Sequence, residues 1–261
     1  MKNRVLITSV GRKCSLIKAF KEAGWYVIGQ DLDPNAVALK LCDEVWNGVW
    51  ETYPFEYDLL VPTRDAELSG MVGIKQAMVP LKQTIETCLD KFKFYKFCKD
   101  NGLRTPEVYF VKPRVSQSGA ERECVWQELI NGEEYSVDLF SLWDGTVVSV
   151  VPRIRLKVLN GESVITKTVQ NKELLLQSIK LATKLGLVGH ACLQCFISKD
   201  SEIIWTDVNC RFGGASIVAI KAGCKSPEWI LKLVNGEEVK PCIGEYQVGL
   251  TGYSYSEWRI E

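Results

Sequence analysis

The run Ile203-Ile204-Trp205-Thr206-Asp207-Val208-Asn209-Cys210-Arg211 sets a carboxylate, an amide and a guanidinium at every second residue. On a strand, Asp207, Asn209 and Arg211 share one face. Hard oxygen ligands of this kind suit a magnesium ion that shares its coordination with a nucleotide's phosphates, and Arg grips phosphate oxygens with a planar fork. The preceding apolar run ends in Lys199-Asp200-Ser201. A two-residue turn at Asp200-Ser201 with antiparallel pairing places Gln194 opposite Asp207, as a third oxygen ligand. A D-x-N-x-R face alone also describes the solvated side of an ordinary strand, so it needs companions.

Companions lie upstream. Lys112, in Val111-Lys112-Pro113, can reach phosphates as a point charge from the end of a strand. The small-residue loop Ser116-Gln117-Ser118-Gly119 can wrap phosphates with backbone N–H groups, with Ser118 at its centre. An apolar strand edge at Glu128, Leu129 and Ile130 suits a purine ring, and the carboxylate of Glu134 just beyond suits ribose hydroxyls. His190 is the only histidine, and its place just before the Gln194 strand favours a structural or substrate-edge role. Asp65 and Glu67 lie past a strand end, placed either to recognise substrate or to cap the next helix.

The elements that hold these residues read in two styles. Up to residue 62, strand-like and helix-like segments alternate (5–9, 11–23, 25–30, 36–41 and 57–62), as in an open parallel sheet with crossover helices. Ligands meet such sheets at the carboxyl ends of strands, here Gly11, Arg12, Asp31 and Asp65. Residues 90–100 form an aromatic and basic helix. Beyond it the chain is strand-rich, with hairpin turns expected at Asn131-Gly132, Asp144-Gly145 and Asn160-Gly161. Further helices are predicted over 172–185 and 226–234, and strands over 191–198 and 203–209. The fold class is therefore a small parallel-sheet α/β domain over 1–86, followed by an α+β domain over 87–261.

Composition narrows the function. The chain has 261 residues, with Lys plus Arg equal to Asp plus Glu at 32 each, and a neutral surface argues against nucleic-acid binding. No apolar run is long enough for a membrane span and the first residues lack signal-peptide character, so a cytoplasmic location is expected. Ten cysteines are scattered; Cys192 and Cys195, three apart on a predicted strand, point to opposite faces and cannot clamp one zinc.

Together these segments resemble the ATP-grasp superfamily, nearest to its carbamoyl-phosphate-synthase-like carboxylate–amine ligase branch. The resemblance runs through V-L-I-T-S-V-G-R, P-T-R-D-A-E-L, the D-K helix with its later T-P, V-K-P, Q-E-L-I-N-G-E-E-Y-S-V-D, G-H-A-C-L-Q-C-F and D-V-N-C-R-F-G-G. It implies a pre-ATP-grasp domain before an ATP-grasp domain, with ATP and magnesium (or manganese) as cofactors. It assigns Lys91 and Lys112 to phosphates, Glu128, Leu129 and Ile130 to adenine, Glu134 to ribose, and Gln194, Asp207 and Asn209 to magnesium. Arg211 meets the transferring phosphate, and Arg153 or Arg155 adds a cation to phosphate or substrate. The implied reaction activates a small-molecule carboxylate as an acylphosphate that an amine captures, with bicarbonate as an alternative acceptor and a non-catalytic nucleotide-binding subunit as another reading. A homodimer is in keeping with the family. A dinucleotide oxidoreductase is disfavoured because no G-x-G-x-x-G follows the first strand. Two departures stand out: Asp207 replaces the usual Glu, and the stretch between Lys112 and Gln127 is short, leaving a reduced lid over the nucleotide.

Overall fold

The computed structural model describes residues 2–115, 121–258 and 260, with side chains left undescribed over 110–125. The front of the chain builds β1 (Arg4–Ile7), α1 (Cys14–Glu22), β2 (Tyr26–Gln30), β3 (Glu44–Trp46), β4 (Leu59–Val61) and the single turn α2 (Asp65–Leu68). Its sheet is parallel throughout, in the order β3-β2-β1-β4. β1, β2 and β4 are buried on both faces, which is why they read as largely apolar runs. The short β3 is not foreseen from sequence, and the helix expected at 36–41 is a 3-10 turn.

Then follow α3 (Lys82–Leu89), α4 (Lys91–Asp100), β5 (Val108–Val115), β6 (Glu121–Gln127), β7 (Gly132–Ser141), β8 (Val147–Leu159), β9 (Glu162–Thr168), α5 (Lys172–Leu185), β10 (Gly189–Ser198), β11 (Ile203–Asn209), α6 (Ser216–Ala222), α7 (Ser226–Val234) and β12 (Thr251–Tyr253). β5 and β6 pair as a separate two-stranded ribbon, and the remaining strands form a six-stranded sheet in the order β11-β10-β7-β8-β9-β12. Helix ends follow local chemistry. The Asp90 side chain accepts from the N–H groups of Phe92 and Lys93, which starts α4 with Lys91 as its first residue. Asn171 caps α5 in the same way, and Gly186 closes it in the left-handed region at φ 65°.

Two of the three expected hairpins are present: Asp144-Gly145 joins β7 to β8 and Asn160-Gly161 joins β8 to β9. Asn131-Gly132 is not a hairpin turn. It lies where the chain passes from the ribbon into the large sheet, because β7 pairs with β8 and β10 rather than with β6. One face of the large sheet packs Val137, Leu139, Leu193, Cys195 and Trp205 against α3, α4 and α5. The opposite face carries Phe140 and Val151 into a core shared with Phe212, β1, α1, α6 and α7. The described cysteines are all free, as expected of small buried hydrophobes.

Candidate functional site

Residues directly paired in an antiparallel sheet share a face. Following the pairs across the large sheet, Asp207, Gln194, Ser136, Arg153 and Thr168 stand in one row over β11, β10, β7, β8 and β9. Asn209, Cys192 and Asp138 stand in the neighbouring row. The Asp207 side chain is 28% exposed, whereas Ser136, Arg153 and Thr168 are 3%, 1% and 0% exposed. The face is therefore open at the β10–β11 edge and closed over β8 and β9, where α6 packs.

At the open edge Gln194 is paired with Asp207, as predicted, by a route the sequence reading did not foresee. The β10–β11 turn has three residues, not two: Ser198 donates to the Glu202 carbonyl (3.0 Å) and Ser201 takes a left-handed φ of 64°. That turn alone would move the register by one. An irregularity between Gln194 and Cys195, with Trp205 opposite Cys195 and Asp207 opposite Gln194, leaves Thr206 as an extra residue and restores it. Trp205 thereby enters the core while Asp207 faces the cleft. The bulged Thr206 carbonyl accepts from Lys91 Nζ at 3.0 Å, and the same amine lies 2.8 Å from Asp207 Oδ1.

Arg211 grips Asp65 with two parallel bonds, Nε to Oδ1 at 2.7 Å and Nη2 to Oδ2 at 2.6 Å, and its Nη2 also donates to Asn209 Oδ1 at 3.0 Å. Burial opposes the Arg211 charge, but the Asp65 carboxylate overrides this and raises its pKa. Asp65 thus links the first sheet's edge to the second sheet. Glu67 does the capping: it accepts from Thr8 Oγ1 (2.7 Å), the Ser9 hydroxyl and the Arg64 N–H (3.2 Å), which knots the ends of β1 and β4 together. Lys13 reaches the same region, donating to the Ser9 carbonyl at 3.2 Å; burial and then the Arg211 charge lower its pKa.

The other predicted residues divide. Glu128 receives both Arg104 Nη2 contacts (2.9 and 2.7 Å), and these hydrogen bonds lower its pKa. Leu129, beside it, is 96% exposed. Glu134 is paired with Arg155, whose remaining nitrogens donate to Ser163 Oγ (2.8 Å) and the Gly161 carbonyl (2.5 Å) at the β8–β9 hairpin. Arg153 does not extend into the cleft. Its Nε and Nη2 lie 2.7 and 2.6 Å from Asp138 Oδ2, and its Nη1 donates to Thr166 Oγ1 at 3.1 Å. Lys112 sits on β5 opposite Cys124. Its side chain, and all of Ser118, lie outside the described residues.

Asp138 was passed over in sequence. Its other oxygen meets His190 Nε2 at 3.1 Å and the Ser216 hydroxyl, and His190 Nδ1 lies 2.8 Å from Ser226 Oγ. Burial alone would raise the Asp138 pKa; the Arg153 charge and the bonds from His190 and Ser216 hold it far below the usual carboxylate range. A carboxylate inside the otherwise apolar run Val137-Asp138-Leu139-Phe140 is the signal that could have found it.

Comparison with protein families matches residues 120–251 to the model described as ATP-grasp in the biosynthetic pathway with Ter operon. The chain belongs to this ATP-grasp family. Solved structures with the same fold include N5-carboxyaminoimidazole synthetase from Staphylococcus aureus complexed with ADP, at TM-score 0.72 and 12% identity, covering 91% of this chain and 79% of that one. The phosphoribosylaminoimidazole carboxylase ATPase subunit from Aquifex aeolicus aligns at TM-score 0.71 and 15% identity, covering 91% and 78%. A biotin carboxylase–β-γ-ATP complex from Campylobacter jejuni aligns at 0.69 and 14% identity, covering 95% and 74%. Comparison with curated proteins gives no match. Among the described residues of this ATP-grasp chain, no helix is long and apolar enough to cross a membrane, and no group of three or more His, Cys, Asp and Glu is assembled to hold a metal. The oxygen donors at the open edge are instead one carboxylate and two amides. Such a set fits a magnesium ion that takes its remaining ligands from substrate phosphates and water.

Proposed function

We propose that this chain is an ADP-forming carbon–nitrogen ligase that activates a small-molecule carboxylate and joins it to an amine. The observation that carries the reading is the pairing of Gln194 with Asp207 on adjacent strands, with Asn209 and Arg211 next along the same face and Lys91 reaching in from α4. Residues before Lys82 are read as the pre-ATP-grasp domain and the rest as the ATP-grasp domain. A boundary at residue 86 would cut α3, whose Ile85 and Cys88 pack in the core of the large sheet.

In this reading Gln194, Asp207 and Asn209 would hold magnesium (or manganese), Lys91 and Lys112 the phosphates, Glu128, Leu129 and Ile130 the adenine, and Glu134 the ribose. Bound MgATP supplies a phosphoryl group that turns a carboxylate oxygen into a leaving group. The protein's task is positioning and charge stabilisation. Arg211, now held by Asp65, would serve the transferring phosphate, and Lys91, now beside Asp207, would serve phosphate oxygens with Asp207 left to the metal. In each exchange the cation would keep an anionic partner. The Lys91–Asp207 pair is partly solvated, so breaking it costs only about 0–1 kcal/mol, while the bidentate and less exposed Arg211–Asp65 pair holds more firmly. Arg153 and Arg155 act indirectly, through the carboxylates they bind. The expected setting is the cytoplasm.

The test is an ADP-release screen of the purified chain against carboxylates (amino acids, sugar acids), amines and bicarbonate, alone and combined. ADP formed only when a carboxylate and an amine are both present supports the ligase. ADP formed with bicarbonate alone moves the acceptor to carboxyphosphate chemistry. Thermal stabilisation by MgATP with no ADP from any mixture would identify a nucleotide-binding subunit and overturn the proposal.

A further inference from the structure

The turn that follows Arg211 is held from below by the buried Asp138. Oδ2 of this carboxylate is occupied by Arg153, and Oδ1 accepts from the Ser216 hydroxyl and lies 3.1 Å from His190 Nε2. Ser216 opens α6, and its oxygen also accepts from the Gly213 N–H at 2.7 Å, two residues beyond Arg211. His190 stacks flat on Phe212, with ring centroids 4.2 Å apart and planes 12° apart. Both ring nitrogens of His190 have partners, Nε2 at Asp138 and Nδ1 at Ser226 Oγ, 2.8 Å away. Phe212 and Gly213, the two residues after Arg211, are therefore each fixed by a group that Asp138 anchors. Gly213 is tightly packed: an added Cβ there would stand 3.2 Å from both Cys192 Sγ and Ser216 Oγ.

Among the described residues Asp65 is the only carboxylate paired with Arg211, and Arg211 must release it if it is to meet a phosphate. What stays fixed through such an exchange is the backbone of the turn. We infer that Asp138, acting through Ser216 and His190, is the positioning residue that keeps the Arg211 guanidinium aimed along the Asp207–Asn209 face once Asp65 is released. This rests on the reading that Arg211 serves the transferring phosphate. It goes beyond that reading by placing the control of Arg211 in a buried cluster that touches neither metal nor nucleotide.

Removing Asp138 would strand the buried Arg153 charge and endanger the fold, so the informative variant is Ser216→Ala, which deletes one hydroxyl from the relay. The first measurement is the side-chain Nε–H resonance of Arg211 in the full chain with isotopically labelled arginine, assigned by its loss in Arg211→Lys. Ser216→Ala is expected to shift or broaden this resonance while that of Arg155, tied at the far hairpin, stays in place. A folded Ser216→Ala protein with an unchanged Arg211 resonance overturns the inference. The second measurement is a double-mutant cycle on ADP release. Ser216→Ala is expected to lower kcat about tenfold with KM for ATP within about twofold, since small misplacements of a charge-stabilising group cost rate rather than binding. In the Arg211→Lys background the same substitution is expected to change kcat less than about twofold. An equal loss in both backgrounds marks Ser216 as merely structural. If no substrate mixture yields ADP, the proposed function fails, and the Arg211 resonance alone decides whether the turn is held from Asp138.

Discussion

The two ends of one sheet face treat charge in opposite ways. At the open edge the pairs are partly solvated: Lys91 with Asp207, and Arg211 with Asp65. At the closed end, under α6, one carboxylate with 0% exposure gathers Arg153, His190 and Ser216 around it and leaves no acceptor free. Pairs of the first kind contribute little to stability and are readily exchanged. A pair of the second kind cannot be broken without leaving an ion in a medium that does not solvate it. The sheet thus carries exchangeable ions at the edge proposed to meet ligands and permanent ones where it is closed.

That contrast can be broken at either end. The largest stability effect is expected at the closed end: Asp138→Asn should cost about 3–5 kcal/mol in urea unfolding, because Arg153 loses its counter-charge while buried. The same variant sharpens the comparison through pH. The folded pKa of Asp138 lies below its unfolded value, so its contribution is complete above about pH 4 and is lost as pH falls below that. The Asn variant should lack this part of the acid-side decline; an unaltered acid slope would contradict the assignment. At the open edge, Asp207→Ala should leave stability within about 1 kcal/mol of the parent while lowering ATP-dependent turnover by about 10²–10³-fold. Undiminished turnover there would remove Asp207 from the metal site. The smallest effect is expected for Asp65→Asn, a change of at most about 1 kcal/mol in unfolding free energy, since its pair with Arg211 is partly solvated. A loss several times larger would show that the open-edge pairs are structural after all.

Much of the site was legible because strand alternation is a strong constraint. Asp207, Asn209 and Arg211 share the cleft face, and Val208 and Cys210 between them are buried. The parallel sheet was equally plain from its short apolar runs. Partners fixed by tertiary contact were not legible. Nothing near Asp65 in sequence announces Arg211, 146 residues away. Asp138 looked like one more residue of a strand because its three partners come from β8, β10 and α6. α6 itself was missed: Ser-Ile-Val-Ala-Ile-Lys-Ala is a short β-branched stretch whose helical state comes from packing on β8 and β9 rather than from propensity. The predicted hairpin at Asn131-Gly132 failed for the converse reason. Its turn chemistry is favourable, but β7 finds better partners in β8 and β10.

Thr206 gives β11 one residue of slack. Because Trp205 and Asp207 already pair with the adjacent residues Cys195 and Gln194, the ladder would close over the gap if Thr206 were deleted, with every side chain still on its present face. What would vanish is the outward-thrust carbonyl on which Lys91 rests. The surplus residue therefore works as a parking berth for a cation, and cleft and core can be uncoupled at a single peptide unit.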